Sequence, residues 1–143
     1  MKNMKNILVL CTGNSCRSQM AHGYLKKLNG LAKIYSAGIE THGLNLGAVA
    51  IMKEGGIDIS RHSSNLVEEY DGVAWDYIIT VCDHAKDNCP YIPAPNAKRI
   101  HQNFFDPSKV TGSEEIRHAA FEKARNEIKA FSTHFMAEEF NKH

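Results

Sequence analysis

Short apolar runs alternate with stretches of helical periodicity along most of the chain. Residues 6–10 are short and apolar on both faces, which is typical of a buried strand in a parallel sheet. Residues 32–36 form a second such run, and residues 76–82 form a third. Residues 98–101 predict a weaker fourth strand, because only Ile100 in it is strongly apolar.

Apolar residues at helical spacing separate these strands. A first helix begins at Arg17 and a second covers residues 46–53, and glycine follows the carboxyl end of each. Ser63 or Ser64 can cap a short helix that follows. The last helix has acidic residues in its first turn and an apolar stripe to about Phe135, beyond which we expect the polar end to fray. The predicted stops are Gly30 and Gly55-Gly56, and the apolar positions of the short helix are Leu66, Val67 and Tyr70.

The order of these elements defines the expected fold. Strands that alternate with helices predict an α/β protein, a single domain over residues 1–143 with a parallel sheet and helices on both faces. No repeat, low-complexity tract or linker divides the chain. Ligands of such sheets bind at the carboxyl ends of the strands. Cys11 and Cys82 both lie at such ends, so we expect them to be neighbours in space.

Composition and charge restrict the classes of function. The 143 residues are 43% apolar and 23% charged, and the formal net charge is +1. So small a net charge creates no broad electrostatic field that would attract nucleic acid or a membrane surface. Any anion site must therefore come from local geometry. The apolar runs are too short for a signal peptide or a membrane span, so we expect a cytoplasmic protein. Thiols stay reduced there, and four cysteines then indicate catalysis, redox chemistry or metal binding rather than structural disulfides.

The stretch from Cys11 to Ser18 has the pattern of an anion-binding loop. A strand ends at Cys11, five small or polar residues follow, and Arg17 opens a helix. The N–H groups of such a loop and of the helix N-terminus can converge on one anion, and Gly13 permits unusual dihedral angles. The Arg17 guanidinium matches two oxygens of a tetrahedral anion. In this setting Cys11 is a thiolate nucleophile; an inert buried cysteine with a surface arginine is the alternative. The candidate oxyanion-binding residues are Thr12, Gly13, Asn14, Ser15, Cys16, Arg17 and Ser18.

This loop resembles the phosphate-binding loop of the low-molecular-weight protein tyrosine phosphatase superfamily. Residues 11–21, Cys-Thr-Gly-Asn-Ser-Cys-Arg-Ser-Gln-Met-Ala, are more similar still to the thioredoxin-coupled arsenate reductases built on that fold. The resemblance implies a four-stranded parallel sheet flanked by helices, reduction of arsenate to arsenite, and thioredoxin as the partner that regenerates the enzyme. We also expect a monomer. Further matching segments are residues 35–43, 80–82, 88–90 and 106–107, so that the resemblance covers about residues 6 to 130.

A second pair of cysteines, Cys82 and Cys89, separates a reductase from a phosphatase. The resemblance implies that Cys11 attacks arsenate, that Cys82 attacks the Cys11 sulfur as arsenite leaves, and that Cys89 then moves the disulfide to Cys82–Cys89. If residues 82–89 are helical when reduced, the Cα atoms of the two cysteines lie roughly 10 Å apart. A disulfide needs about 4.4–6.8 Å, so oxidation must unwind the segment. The alternatives are a core cysteine with a surface one, a metal site formed with His84, or a non-catalytic redox or metal sensor.

Asp106 is the candidate general acid. Two phenylalanines precede it, and apolar rings near a carboxyl favour its protonated form, although an ordinary Asp-Pro turn is the alternative. Phosphatases of the superfamily carry their general acid in an Asp-Pro pair, usually with an aromatic residue directly after it. Here Ser108 and Lys109 follow, which favours a small inorganic oxyanion over phosphotyrosine. A phosphatase acting on phosphotyrosine or a small phosphomonoester remains the alternative enzyme.

A potassium site is a further feature of some reductases in this family, formed by an asparagine, a glutamate, a serine and an aspartate. Asn14 and Ser36 match two of these ligands. His22 stands in place of the glutamate, and Asn65 in place of the aspartate. The sequence therefore predicts no metal and no cofactor beyond, at most, a weak K⁺ site.

Overall fold

One parallel sheet of four strands organises the chain, which the computed structural model describes over residues 4–28 and 32–140. The strands are β1 (Lys5–Cys11), β2 (Ala32–Gly38), β3 (Tyr77–Thr80) and β4 (Lys98–His101). Their order in the sheet is β2-β1-β3-β4, and all three pairings are parallel. Because β1 has a neighbour on both sides, its residues from Ile7 to Cys11 are all buried. The predicted fold class is confirmed.

Within residues 4–28 and 32–140, four α-helices and two short 3₁₀ helices connect and follow the strands. The α-helices are α1 (Arg17–Leu28), α2 (Leu46–Glu54), α3 (Asp83–Asn88) and α4 (Glu114–Phe140). The 3₁₀ helices are Val67–Tyr70 and Pro107–Lys109. The predicted stop of the first helix, Gly30, lies outside the described residues. Among the helices described, none has the length and apolar character needed to cross a membrane.

The two faces of the sheet are covered differently. Alternate residues of a strand point to opposite faces, and Ile7 and Val9 belong to the larger core cluster, to which α1, α2 and α4 contribute. Leu8 and Leu10 belong to a smaller cluster with Trp75 and the 3₁₀ helix at residues 67–70. Irregular chain around residues 89–97 completes that second cover. Long helices therefore protect one face, and a 3₁₀ helix with irregular segments protects most of the other.

The carboxyl end of α4 differs from the sequence expectation. The helix continues to Phe140, five residues beyond Phe135, where fraying was expected. The Phe140 ring lies 5.6 Å from that of Tyr77 and 6.2 Å from that of Phe135, and Met136 is buried. Tyr77 also donates a hydrogen bond of 3.1 Å to Glu139. The prediction of a frayed end is wrong because packing against β3 holds the last turns.

The serines before the short helix also have a different role from the predicted one. The helix at residues 67–70 has Leu66 at its N-cap, and the Glu69 carboxylate accepts from the Leu66 N–H at 2.7 Å. Ser63 donates to the Asn65 side chain at 2.8 Å. Ser64 donates to the carbonyl oxygen of Gly13 at 2.9 Å. Neither serine caps the helix, and Ser64 instead supports the loop that follows β1.

Candidate active site

The loop at residues 12–16 has its carbonyl groups turned away from its centre. Residues of the segment after β2, together with side chains and the first turn of α1, bind each of these carbonyls. No N–H group from residue 13 to residue 16 donates a hydrogen bond to another residue in the described part of the chain. These N–H groups are therefore available to one anion. The outward bonds run from Glu40 N–H to Thr12 O (3.0 Å), His42 N–H to Gly13 O (3.0 Å), Gln19 Nε2 to Asn14 O (3.0 Å), Asn45 N–H to Ser15 O (3.0 Å) and Met20 N–H to Cys16 O (3.0 Å).

Asn14 is the residue that allows the loop to turn. Its φ angle is 47°, in the left-handed region, and it is fully buried. Its side chain accepts from the Asn65 N–H at 2.7 Å and donates to Ser18 Oγ at 2.9 Å. Gly13, which was expected to permit unusual dihedral angles, is not the residue in the left-handed region. Gly13 instead allows a close approach of the half-exposed His42 ring, whose Nδ1 would lie 2.3 Å from a Cβ atom there.

Arg17 is fixed at the wall of a cavity of about 650 Å³ that the loop lines together with Cys82 and Asp106. Its Nη1 donates to the Phe104 carbonyl oxygen at 2.8 Å, and its Nη2 lies 3.6 Å from Asp106 Oδ2. Its Nε is buried and has no hydrogen-bond partner among the described residues. The guanidinium is thus held in place by protein groups while one of its N–H donors remains for a ligand.

Cys11 and Cys82 meet at the base of this cavity, as the topology predicted. Both are buried, both are reduced, and their thiols share a hydrogen bond. That bond and burial raise the pKa of Cys11. The same bond, with those from Thr12 Oγ1 (3.3 Å) and the Ala85 N–H (3.4 Å), lowers the pKa of Cys82 to about 5. The pair therefore loses its first proton easily and its second only with difficulty, so near neutral pH the two sulfurs share the one proton that remains. Cys11 becomes a thiolate when that proton lies on Cys82.

Cys89 lies at the other end of α3 from Cys82. Cys82 is the N-cap residue of this helix and Cys89 is its C-cap residue. Cys89 is half-buried, and its thiol donates to the Pro90 carbonyl oxygen at 3.3 Å. The residues between the two cysteines are helical, which is the condition for the prediction that this segment unwinds on oxidation.

Cys16 differs from the other three cysteines. Burial and the nearby Asp106 charge raise its pKa to about 12, so its thiol stays protonated near neutral pH.

Asp106 has polar rather than apolar surroundings. Its Oδ1 accepts from the Ser108 N–H at 3.0 Å and from the Ser108 hydroxyl at 2.6 Å. Its Oδ2 faces Arg17. Phe104 is buried against Phe131, with ring centroids 5.7 Å apart, whereas Phe105 is 64% exposed and lines the cavity. The expected apolar setting is wrong for this carboxyl, which nevertheless lines the same cavity as Cys11 and Arg17.

The residues at the expected potassium position bind one another. His22 Nδ1 lies 2.8 Å from Ser36 Oγ, and its ring stacks on that of His62 at 4.4 Å. Burial and the neighbouring His62 lower the pKa of His22 to about 3, which keeps the imidazole neutral. The Asn14 amide is used by Asn65 and Ser18. Neither of the two carboxylates that the resemblance implies is present among the four residues, and Ser36 Oγ already has a hydrogen-bond partner in His22.

The alternative of a metal site at Cys82, His84 and Cys89 finds no support. Within residues 4–28 and 32–140, no group of three or more histidine, cysteine or acidic side chains is placed to hold a metal ion. Cys82 and Cys89 instead lie at opposite ends of α3.

A cysteine at the end of a parallel strand, a loop with free N–H groups and an arginine at the start of a helix are the features of a phosphatase-like α/β protein. The chain belongs to the low molecular weight phosphotyrosine protein phosphatase family, whose sequence profile matches residues 6–143.

Several similar proteins carry a different activity in their names. An arsenate reductase of Bacillus licheniformis is 50% identical over 125 residues, which cover 87% of this chain and 89% of that protein. An arsenate reductase of Bacillus subtilis has the same identity and coverage. A solved arsenate reductase in its phosphate-binding state has a TM-score of 0.74 at 30% identity, covering 94% of this chain and 98% of that one. A low molecular weight protein tyrosine phosphatase from T. tengcongensis has a TM-score of 0.77 at 24% identity, over 94% and 99%, which shows the fold alone.

Proposed function

We propose that this protein reduces arsenate to arsenite and so contributes to arsenic detoxification. The observation that carries the proposal is the hydrogen-bonded pair of Cys11 and Cys82 beneath the oxyanion loop, with Cys89 at the far end of the helix that starts at Cys82. A phosphatase of this fold needs Cys11 alone, because water completes its cycle. Additional thiols can supply the two electrons of a reduction. The 50% identity to two arsenate reductases supports the same conclusion.

Arsenate binding depends on the loop and on Arg17. The oxyanion accepts hydrogen bonds from the free N–H groups of residues 13–16 and from the N-terminus of α1, where the helix dipole adds positive potential. The buried Arg17 Nε, which has no partner among the described residues, supplies a charged donor. Ser18, held by the Asn14 amide, completes the set of candidate ligands.

The first chemical step is attack by the Cys11 thiolate on arsenic. The proton of Cys11 passes to Cys82 along the hydrogen bond between the two sulfurs. A sulfur–arsenic bond forms, and an oxygen leaves as water after it receives a proton from Asp106. Ser108 and Arg17 hold the Asp106 carboxyl at the cavity for this transfer.

The second step forms the first disulfide and reduces arsenic. The Cys82 thiolate attacks the sulfur of Cys11, and the sulfur–sulfur bond replaces the sulfur–arsenic bond. The electron pair of the broken bond stays on arsenic, which passes from As(V) to As(III) and leaves as arsenite. The two cysteines have together given up two electrons.

The third step moves the disulfide and requires α3 to unwind. Cys89 attacks Cys82 and releases Cys11 as a thiolate. A helix holds the Cα atoms of these two cysteines about 10 Å apart, farther than a disulfide permits. Ala85 is the one buried residue of α3, and the others are exposed. Unwinding therefore removes little apolar surface from the core.

The position of the last disulfide supports regeneration by thioredoxin. The Cys82–Cys89 bond would lie in an unwound surface segment, next to Tyr91, which is 88% exposed. All three cysteines come from one chain, so a monomer can complete the cycle. Such a cycle needs a compartment in which thiols are kept reduced, and we infer that this compartment is the cytoplasm.

The decisive test is oxidation of NADPH that depends on arsenate, with thioredoxin and thioredoxin reductase present. We expect turnover by the wild-type protein and none by Cys11→Ser, Cys82→Ser or Cys89→Ser. The last variant should consume arsenate once and stop as a Cys11–Cys82 disulfide, which intact mass and peptide mapping identify. No turnover by the wild type with this couple or with other thiol reductants would refute the reductase function. Turnover with glutaredoxin alone would retain the chemistry and replace the partner.

A phosphatase remains the second candidate function. It is favoured by Phe105, whose exposed ring lines the cavity just before Asp106 even though no aromatic residue follows that aspartate. Hydrolysis of an aryl phosphate needs Cys11 but no second thiol. A protein whose Cys82→Ser variant hydrolyses phosphotyrosine efficiently, and whose wild type does not reduce arsenate, would have this function instead.

A further inference from the structure

The hydroxyl of Thr12 connects a reacting sulfur to an imidazole at the mouth of the cavity. Thr12 Oγ1 lies 3.3 Å from Cys82 Sγ and 3.0 Å from His84 Nδ1. Cys82 is buried, whereas His84 is exposed and lines the same cavity as Cys11. The Thr12 hydroxyl therefore links a thiol that is shielded from water to an imidazole that can exchange protons with water.

The second step of the proposed reduction creates a need for such a link. Cys82 holds the proton of the pair while Cys11 attacks arsenic, and Cys82 must then lose this proton to become a nucleophile. Three groups form hydrogen bonds with its sulfur: the Cys11 thiol, the Thr12 hydroxyl and the Ala85 N–H. Cys11 is bonded to arsenic at that stage, and a backbone N–H is a donor only. The Thr12 hydroxyl is the one of the three that can receive the proton.

We propose that His84, acting through the Thr12 hydroxyl, takes the proton from Cys82 and so prepares it for attack on Cys11. The inference rests on the reductase function proposed above. The Cys82 thiol gives a proton to Thr12 Oγ1 while Thr12 gives its own proton to His84 Nδ1. The products are a Cys82 thiolate, an unchanged threonine and a protonated imidazole, which later releases its proton to water. No electron moves in this step.

The geometry suits transfer in this direction. A hydroxyl donates one hydrogen and accepts two, so Thr12 can accept from Cys82 and donate to His84 at once. After transfer the same two contacts persist with their hydrogens reversed, because His84 then donates to Thr12 and Thr12 donates to the thiolate. Imidazole is the side chain that most readily takes and releases a proton near neutral pH. His84 does not touch a reacting atom and is a positioning and relay residue.

The test measures formation of the Cys11–Cys82 disulfide in a single turnover. Reduced Cys89→Ser protein is mixed with arsenate, quenched with an alkylating agent at intervals and analysed by peptide mass. Adding His84→Gln, which keeps a polar side chain but cannot take the proton, should slow formation of this disulfide. We expect a decrease of about tenfold or more, as for the loss of a general base. His134→Gln, which removes an exposed imidazole on α4 outside the cavity, is the control and should change the rate less than about threefold.

Two further readouts separate a proton relay from a merely structural role. Imidazole in the buffer should restore the rate of His84→Ala, because the open cavity admits it. His84→Ala should also have no further effect once Thr12→Val has removed the hydroxyl. Titration with inorganic phosphate reports whether the loop still binds an anion in each variant.

The outcomes discriminate between the relay and the function on which it rests. Disulfide formation in His84→Gln at the rate of its parent would overturn the relay. So would failure of imidazole to rescue His84→Ala, or additive effects of the Thr12 and His84 changes. If the parent Cys89→Ser protein forms no disulfide that depends on arsenate, the reductase function is itself overturned, and the relay with it.

Discussion

The left-handed conformation of Asn14 makes a prediction that reverses the usual ranking of alanine and glycine. At φ 47° an alanine is strained by roughly 1–2 kcal/mol, and a glycine is not. Both substitutions remove the hydrogen bonds to the Asn65 N–H and Ser18 Oγ, each of which contributes about 1 kcal/mol, with more lost if the buried partners stay unpaired. We expect a decrease in the free energy of unfolding of about 3–5 kcal/mol for Asn14→Ala and about 1 kcal/mol less for Asn14→Gly.

Urea denaturation of the reduced protein measures these differences, since a single domain of this size is expected to unfold in one step. Ala50→Gly, in the exposed middle of α2, is the matched control, and there glycine should cost about 1 kcal/mol relative to alanine. Titration with inorganic phosphate should show weaker binding by both Asn14 variants. The reasoning is refuted if Asn14→Gly is less stable than Asn14→Ala, or if both lose less than about 1 kcal/mol, the value of one hydrogen bond.

Three further predictions follow from the surroundings of the loop. Gly38→Ala should destabilise the protein and weaken phosphate binding more than Gly13→Ala. The Cβ atom added at Gly38 would lie 2.4 Å from Glu40 O and 2.7 Å from Thr12 O, whereas the one added at Gly13 meets the half-exposed His42 ring. Equal effects of the two substitutions in urea and phosphate titrations would contradict this. Burial and the neighbouring His62 lower the pKa of His22 to about 3. As the pH decreases below about 6.5, His22 therefore takes up a proton in the unfolded chain but not in the folded protein. The free energy of unfolding should then fall by up to about 1.4 kcal/mol per pH unit. His22→Gln should flatten that part of the pH profile in urea experiments, and an unchanged slope would show that another group is responsible. Arsenate reduction should be equally fast in KCl and NaCl of the same ionic strength, because Ser36 is hydrogen-bonded to His22 and the site lacks both expected carboxylates. Stimulation by K⁺ would disprove that interpretation.

Local sequence was sufficient to predict the strands and the position of the candidate nucleophile, Cys11. Parallel strands that are buried on both faces need short, continuous apolar runs, and residues 6–10 form such a run. The loop from Cys11 to Arg17 was visible because its residues are adjacent in the chain. Even the meeting of Cys11 with Cys82 followed from a simple rule, since parallel strands end at the same edge of a sheet.

The tertiary structure decided the features that depend on contacts between distant segments. The loop's N–H groups are free because Glu40, His42 and Asn45 bind its carbonyls, and spacing within the loop does not reveal this. The turning residue is Asn14 rather than Gly13, because an asparagine can also bind Asn65 and Ser18 from that position.

Side-chain partners far apart in the chain explain the remaining differences. The end of α4 is ordered because Phe140 packs against Tyr77, although the sequence near it is polar. Thr12 reaches both Cys82 and His84, seventy or more positions along the chain, only because β1 and β3 are neighbours. Sequence alone determined that the four strands, α1, α2 and α4 form, since these depend on the local pattern of apolar residues, whereas a helix between Cys82 and Cys89 was only a condition. Only the folded structure determined which polar groups are satisfied and which remain free to act on a ligand, because hydrogen-bond partners are set by proximity in space.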